Sequence, residues 1–171
     1  LRQRDIPDTK LAFLVADELP APEEMELDDL DKEVFTAGKN YVFVGESEGY
    51  FGSLTVLETK DLPASDELLK EFAQGYLDAR KEDDSAKFEA KKLEKGTLGK
   101  YSAELYEAVW STSDVKVEEK GLILVGDNEI IVLVASADCS DSASGSEQTK
   151  VMDSLRYSGE AYKKVKDLEL K

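Results

Sequence analysis

Histidine is absent from this chain of 171 residues, and cysteine occurs once, at Cys139. A serine triad needs an imidazole to carry the proton, and zinc sites are built mainly from histidine and thiolate ligands. A single cysteine also excludes an internal disulfide bond and leaves the redox compartment open. The composition therefore excludes histidine-dependent and metal-thiolate enzymes, and we predict a non-enzymatic protein with no catalytic residue and no cofactor.

Long apolar runs are also missing. A membrane-spanning helix needs roughly 20 consecutive apolar residues, and no run in the chain approaches that length. No signal-peptide core is visible at the start of the chain. We therefore predict no transmembrane segment, and because the first residue is Leu1 and not methionine, we expect that an upstream segment was removed.

Basic residues are scarce, with 22 lysines and arginines against 38 aspartates and glutamates and a net charge of −16. Such a charge repels polyanions, and proteins bind nucleic acids mainly by neutralising phosphates with lysine and arginine. We therefore predict no nucleic-acid partner. Cations, basic protein surfaces and solubility alone remain as explanations of the acidity.

Apolar residues are plentiful enough for a core. Hydrophobic residues make up 41% of the sequence, and a chain of this length buries roughly 70% of the surface that its unfolded form exposes. We predict a single domain over residues 1–171, with a core over about 10–157 and a C-terminal tail over 158–171. In the tail, Tyr162, Val165 and Leu168 recur at a loose helical spacing.

The first third of the chain has the pattern of strands separated by an acidic segment. Residues 10–15 form a short apolar run that we predict as the first strand. Residues 41–44 and 53–59 are rich in β-branched and aromatic residues, which predicts a hairpin. Between the two, residues 17–33 carry nine carboxylates against one lysine, which indicates a surface loop or a short helix.

A helix is predicted to begin after Ser65. This serine is suited to cap the helix, acidic residues follow it in the first turn, and Arg80 lies near the end, where the helix dipole favours a positive charge. Four apolar residues recur at helical spacing and predict a stripe that packs on a sheet: Leu69, Phe72, Ala73 and Tyr76.

Three long runs in the second half, over residues 100–110, 116–125 and 129–135, are apolar on both faces. The sequence Gly126-Asp127-Asn128 between the last two predicts a tight hairpin turn. Strands that are apolar on both faces are covered on both faces, by helices or loops. We predict an α+β fold: a mainly antiparallel sheet with a long three-strand meander, sandwiched by helices in an α/β/α arrangement.

Two further local signals flank these runs. Gly96 and Gly99 are predicted to bound a turn before the first run. After the last run, residues 138–146 are rich in serine and aspartate and are predicted as a loop. Ser144 and Glu147 then have the spacing of a capping box, which predicts a second helix.

A Gly-x-Ser-x-Gly match at Gly45-Glu46-Ser47-Glu48-Gly49 invites comparison with the nucleophile elbow of hydrolases. An elbow leads into a helix and needs an imidazole partner, whereas this match leads into a predicted strand in a chain without histidine. The pattern therefore favours a hairpin turn. A carboxylate-dependent hydrolase remains an alternative, because 38 acidic residues make some close pair inevitable.

Calcium binding is the alternative placed before the hydrolase, since calcium binds clustered oxygen ligands, although neither acidic stretch has EF-hand spacing. The weak candidate ligands fall in two stretches: Glu23, Glu24, Glu26, Asp28, Asp29, Asp31, Asp138 and Asp141. A small-ligand pocket is also considered. It would be lined by Tyr101, Tyr106 and Trp110, although alternating aromatic residues are more typical of a core.

The order of these elements resembles the PsbP-like α/β/α family. Four segments spanning about residues 10–157 carry the resemblance: Leu11-Ala-Phe-Leu-Val15, Ser65-Asp-Glu-Leu-Leu-Lys-Glu-Phe72, Gly99-Lys-Tyr-Ser-Ala-Glu-Leu-Tyr106, and Gly126-Asp-Asn-Glu-Ile-Ile-Val-Leu-Val134 leading to Val151-Met-Asp-Ser-Leu155. The family includes photosystem accessory proteins, a Ran-binding import factor and bacterial lipoproteins of unknown role.

The resemblance implies a function in binding without catalysis. Many bacterial members are anchored outside the cytoplasm by a lipidated cysteine, so it implies an extracytoplasmic location, secreted or lipid-anchored, with the cytoplasm as the alternative. The implied partner is another protein or a cell-envelope component. A small-ligand or calcium-binding module and a carboxylate-dependent hydrolase are the competing hypotheses.

Overall fold

The computed structural model describes residues 1–16, 18–27 and 34–170, which form eleven strands and two helices. The strands are β1 (Arg2–Asp5), β2 (Leu11–Val15), β3 (Glu23–Glu24), β4 (Phe35–Val44), β5 (Tyr50–Thr59), β6 (Lys87–Leu98), β7 (Tyr101–Ser111), β8 (Lys116–Gly126), β9 (Glu129–Asp138), β10 (Arg156–Tyr157) and β11 (Glu160–Asp167). The helices are α1 (Asp66–Glu82) and α2 (Ser142–Ser154).

All eleven strands join one sheet in the order β1-β2-β10-β11-β6-β7-β8-β9-β5-β4-β3. Each neighbouring pair is antiparallel, which confirms the predicted mainly antiparallel α+β fold. The three runs predicted as neighbours are β7, β8 and β9, and they lie in a row of four strands that begins with β6. The predicted hairpin of β4 and β5 is also present.

The central strands are buried on both faces. Leu122, Ile123 and their neighbours in the second half of β8 are shielded from water. Consecutive side chains of a strand point to opposite faces, and here they enter two different apolar clusters. Leu122 packs in the cluster that contains Val151 of α2, whereas Ile123 packs in the cluster that contains Leu69 of α1.

Helix α1 begins where the sequence predicted. The Ser65 side chain accepts a hydrogen bond from the backbone N–H of Leu68 at 3.1 Å, so the predicted N-cap is confirmed. Acidic residues lie in the first turn and Arg80 in the last. The buried stripe consists of Leu69, Ala73 and Leu77, with Phe72 and Tyr76 half-buried at its margin.

A second helix, α2, is present as predicted, but its N-cap lies three residues before the predicted cap Ser144. Its N-cap is Asp141, whose carboxylate accepts hydrogen bonds from the backbone N–H groups of Ala143 and Ser144. The capping box of Ser144 and Glu147 is therefore wrong, and so is the loop over residues 138–146. Strand β9 continues to Asp138, which shortens the loop. Asp141 then accepts the hydrogen bonds of the free backbone N–H groups in the first turn of the helix.

Glu147, which was predicted to take part in capping the helix, instead binds the turn between β4 and β5. Its carboxylate accepts hydrogen bonds from the backbone N–H groups of Glu46 and Ser47, both at 2.8 Å. A Cβ at Gly45 would lie 2.4 Å from Glu147 Oε2 and 2.3 Å from the Tyr50 ring, so only glycine fits there. The Gly-x-Ser-x-Gly sequence is thus a hairpin turn, as predicted, and Glu147 of α2 binds it, which was not predicted.

The structure differs from two of the sequence predictions on strands, and it adds a strand in the tail. The predicted first strand is β2, because β1 precedes it and pairs with it. Gly96 was predicted to bound a turn but lies inside β6. The tail, for which the sequence predicted no structure, forms β11, because Tyr162 pairs opposite Leu98 of β6 and this non-local pairing overrides the loose helical spacing.

Candidate functional site

A cavity of about 530 Å³ lies between α1, the sheet and the C-terminal segment. One wall comes from α1, the floor from β6 and β7, and the remaining side from residues that follow β11. Its apolar lining consists of leucines contributed by three parts of the chain: Leu69, Leu77, Leu93 and Leu168. Its charged lining comprises Asp66, Glu67, Lys70, Lys95, Glu104 and Glu169.

Glu104 of β7 is the unusual member of this cavity. It is only 4% exposed, yet among the side chains that the structure describes none forms a hydrogen bond or an ion pair with its carboxylate. Burial raises the pKa of Glu104 to about 7, and the nearby charges of Lys95 and Lys70 oppose that rise. A buried carboxyl without a partner is costly, and groups of this kind are concentrated at functional sites.

The lysine opposite Glu104 on the neighbouring strand forms an ion pair with a different residue. Lys95 lies directly across from Glu104 in the β6–β7 pairing, but its Nζ contacts Asp66 Oδ2 at 3.1 Å. The Ser102 hydroxyl donates a hydrogen bond to the same carboxylate. Hydrogen bonds from Ser102 and Lys95 lower the pKa of Asp66. Asp66 therefore competes for the lysine, which leaves the Glu104 carboxyl to face the cavity.

The sequence carried a signal for this residue that its interpretation overlooked. Alternation along β7 places Glu104 on the same face as Tyr106, Ala108 and Trp110. An acid on an apolar face of a central strand is expected to be buried. That Lys95 does not form an ion pair with it depends on Asp66, which lies far away in the sequence.

The three predicted pocket aromatics do not line one common cavity. Tyr101 and Tyr106 belong to the two different apolar clusters. The Tyr101 hydroxyl donates to Asp127 at 3.0 Å, and the Tyr106 hydroxyl donates to Glu119 at 2.6 Å. Trp110 lies half-buried beside the second cluster. These side chains act in packing and in tethering neighbouring elements.

A buried ion pair joins α1 to the sheet. Arg80 donates two hydrogen bonds to the Glu119 carboxylate of β8, at 2.9 and 2.8 Å, and the Glu119 side chain is only 2% exposed. The guanidinium also lies over the Phe88 ring, 4.7 Å from its centroid. With Tyr106 as a further donor, the carboxylate is fully engaged. The network positions α1, and thereby one wall of the cavity.

The candidate calcium ligands that the structure describes do not form a metal-binding cluster. Asp138 accepts hydrogen bonds from the backbone N–H and hydroxyl of Ser140, and Asp141 caps α2. Glu23, Glu24 and Glu26 are exposed, and Asp28, Asp29 and Asp31 lie outside the described residues. Within the described part of the chain, no three acidic or cysteine side chains are grouped closely enough to hold a metal ion.

The tip of the β4–β5 hairpin exposes apolar side chains. Val42, Val44 and Phe51 are 43%, 72% and 47% exposed, and we call these three residues the hairpin patch. Val44 and Phe51 are direct cross-strand partners, and Val42 lies on the same face two residues away. Among the described residues, β3 pairs with β4 only at Lys39 and Asn40, so the tip also has an open strand edge.

No protein-family model and no curated protein sequence matches the chain. Its structure is similar to the solution structure of cyanobacterial PsbP (CyanoP) from Synechocystis, with a TM-score of 0.56 and 13% identity over 91% of each chain. It is also similar to LpqN, involved in cell envelope biogenesis of Mycobacterium tuberculosis, with a TM-score of 0.43 and 15% identity over 85% of this chain and 82% of that one.

A third similar structure is the immunity protein TplEi from Pseudomonas aeruginosa in complex with a peptide, with a TM-score of 0.41 and 13% identity. It is matched over 90% of this chain and 60% of that one. The similarity to CyanoP confirms the PsbP-like fold that the sequence resemblance predicted. At 13% identity, the similarity shows the fold and not the function. Of the two helices that the structure describes, neither is long and apolar enough to cross a membrane.

Proposed function

We propose that this protein is a non-enzymatic binding domain that acts outside the cytoplasm, where it binds another protein or a cell-envelope component through the hairpin patch. The observation that carries the proposal is the exposure of Val44 and Phe51 side by side, together with Val42. Grouped exposed apolar side chains mark interaction surfaces. The extracytoplasmic location is the one that the PsbP-like resemblance implies.

The patch has two features that suit a protein partner. Burying one exposed valine or phenylalanine fully contributes about 1.5–3 kcal/mol, so a few such side chains suffice for an anchor. The open edge of β4 beside the patch offers backbone groups to an extended segment, which could pair as an added strand. Since the domain carries a net charge of −16, the partner segment is expected to be basic as well as apolar.

The hydrolase alternative is less well supported than binding. General acid–base work by two carboxyls needs both of them available to a substrate. Glu104 and Asp66 line the same cavity, but the Asp66 carboxylate is occupied by Lys95 and Ser102. This arrangement supports a cavity that holds a ligand over one that turns over a substrate.

Site-specific photo-crosslinking tests the proposal. A photoreactive amino acid at position 44 replaces Val44, and a matched control replaces Val165, which is 61% exposed on β11, several strands from β4 in the sheet order. In envelope extract, the first protein should form a discrete adduct that excess unlabelled wild type suppresses, and the control should not. Adducts that are equal at both positions, or absent at both, would refute the patch as the binding surface.

A further inference from the structure

The cavity beneath α1 contains a buried carboxyl that the fold leaves without a described partner. Glu104 is 4% exposed and lines the cavity floor, while Lys95 across the pairing contacts Asp66. Replacing such a carboxyl by an apolar residue would remove a desolvation cost, so a structural role gives no reason to keep it. A ligand that brings a positive charge into the cavity would supply the missing partner.

The rest of the lining defines what kind of cation fits. Leucines from α1, from β6 and from the segment after β11 form an apolar wall around the single buried carboxyl. The volume of about 530 Å³ lies within the range of pockets that hold small molecules. A bare metal ion would find only one buried oxygen-donor side chain, whereas an amphipathic molecule matches both the carboxyl and the apolar wall.

The charges around the cavity favour a cation over an anion. Four carboxylates line it against two lysines, and because Lys95 is paired with Asp66, three carboxylates remain against the positive charge of Lys70. We infer that the cavity binds a small organic cation, a primary ammonium on an apolar chain, with Glu104 accepting hydrogen bonds from the ammonium and the leucines packing against the chain. This site is separate from the hairpin patch and does not depend on the binding proposed there.

Isothermal titration with hexylammonium as the probe tests the inference on the intact protein. Two variants are compared with wild type: Glu104→Gln, which removes the buried charge, and Glu107→Gln, which removes a charge from the opposite face of the same strand. Loss of a charge-assisted hydrogen bond should weaken binding about tenfold or more in Glu104→Gln. Binding to Glu107→Gln should match wild type.

Two further comparisons separate charge recognition from simple apolar binding. Uncharged 1-hexanol should bind wild type about tenfold more weakly than hexylammonium, because it gains only the apolar contacts. The affinity of wild type for hexylammonium should rise roughly tenfold from about pH 6 to about pH 8, as Glu104 ionises with a pKa of about 7. The other charged groups facing this carboxyl are Asp66, Glu67 and Lys70 of α1, Lys95 of β6 and Glu169 after β11.

Three results would overturn the inference. These are no binding of hexylammonium to wild type at millimolar concentration, equal binding to wild type and Glu104→Gln, or equal binding of hexylammonium and 1-hexanol. Thermal unfolding of Glu104→Gln shows whether the variant is folded, so that lost affinity is not mistaken for lost structure. Because the hairpin patch is untouched in every variant, its crosslinking remains an independent measurement.

Discussion

Replacing the buried carboxyl of Glu104 by an amide should stabilise the protein, and the gain should depend on pH. The group's pKa is raised in the folded state by burial, from 4.5 to about 7. A carboxyl with a raised folded pKa is favourable to bury only when protonated, so it destabilises the fold increasingly as pH rises from about 4.5 to about 7. Glu104→Gln removes the ionisable group and therefore removes this loss of stability.

The magnitude follows from the difference between the two pKa values. The rise from 4.5 to about 7 corresponds to a ceiling of roughly 3 kcal/mol in the free energy of unfolding. Water that enters the cavity screens the carboxylate, so we expect about half of this ceiling, roughly 1.5 kcal/mol at about pH 8. At about pH 5 the gain should fall to a few tenths of a kcal/mol, because Glu104 is then mostly protonated in the folded protein.

Urea unfolding at about pH 5 and about pH 8 measures this difference, with Glu107→Gln as the control for losing one negative charge from an acidic protein. The control removes a charge without removing a buried carboxyl, and its effect on stability should change little between the two pH values. If Glu104→Gln and Glu107→Gln respond alike to pH, or if Glu104→Gln destabilises at about pH 8, the carboxyl is not an uncompensated buried charge.

Further predictions concern the contacts that position the site. Arg80→Met should lower the free energy of unfolding by about 3–5 kcal/mol, because it leaves the Glu119 carboxylate buried without its cation. Adding Glu119→Leu to this variant should recover much of the lost stability. A double variant no more stable than Arg80→Met would contradict the pairing. Gly45→Ala should destabilise by about 1–3 kcal/mol through overpacking against Glu147. Gly75→Ala, with open space around it in α1, should stabilise by about 1 kcal/mol, and equal effects of the two alanines in thermal unfolding would contradict the packing argument.

The elements that the sequence predicted well are those with strong local signals. Helix α1 has a serine cap, an acidic first turn and a regular apolar stripe, so its start at Ser65 could be read directly. The second half of β8 is apolar at every position, and only a strand covered on both faces accommodates that pattern. Both features are properties of neighbouring residues and need no knowledge of the rest of the fold.

The elements that the sequence missed depend on distant partners. Glu147 has the spacing of a capping-box residue, but the β4–β5 turn about 100 residues away takes its carboxylate. Strand β11 has little strand character of its own and is ordered by pairing with β6. In both cases the local sequence pattern favours one structure, and a contact with a distant part of the chain stabilises a different one.

The candidate site shows the same division. Alternation along β7 would have placed Glu104 on a buried face, although that signal was overlooked, but the absence of an ion pair with Lys95 depends on the contact of Lys95 with Asp66 of α1. Val42 and Val44 of the hairpin patch were predicted as strand, yet the sequence could not indicate which face of the hairpin the rest of the chain leaves uncovered. For this hairpin, alternation shows that two faces exist but not which of them is covered.

The most direct test of a binding function is the affinity of the purified crosslinked partner for wild type and for Val44→Asp. Val44 is 72% exposed, so the substitution should leave the free energy of unfolding within about 0.5 kcal/mol of wild type. If the hairpin patch is the anchor, binding should weaken about tenfold or more, since a charge replaces a buried apolar contact. Unchanged affinity in a normally folded Val44→Asp protein would contradict the account.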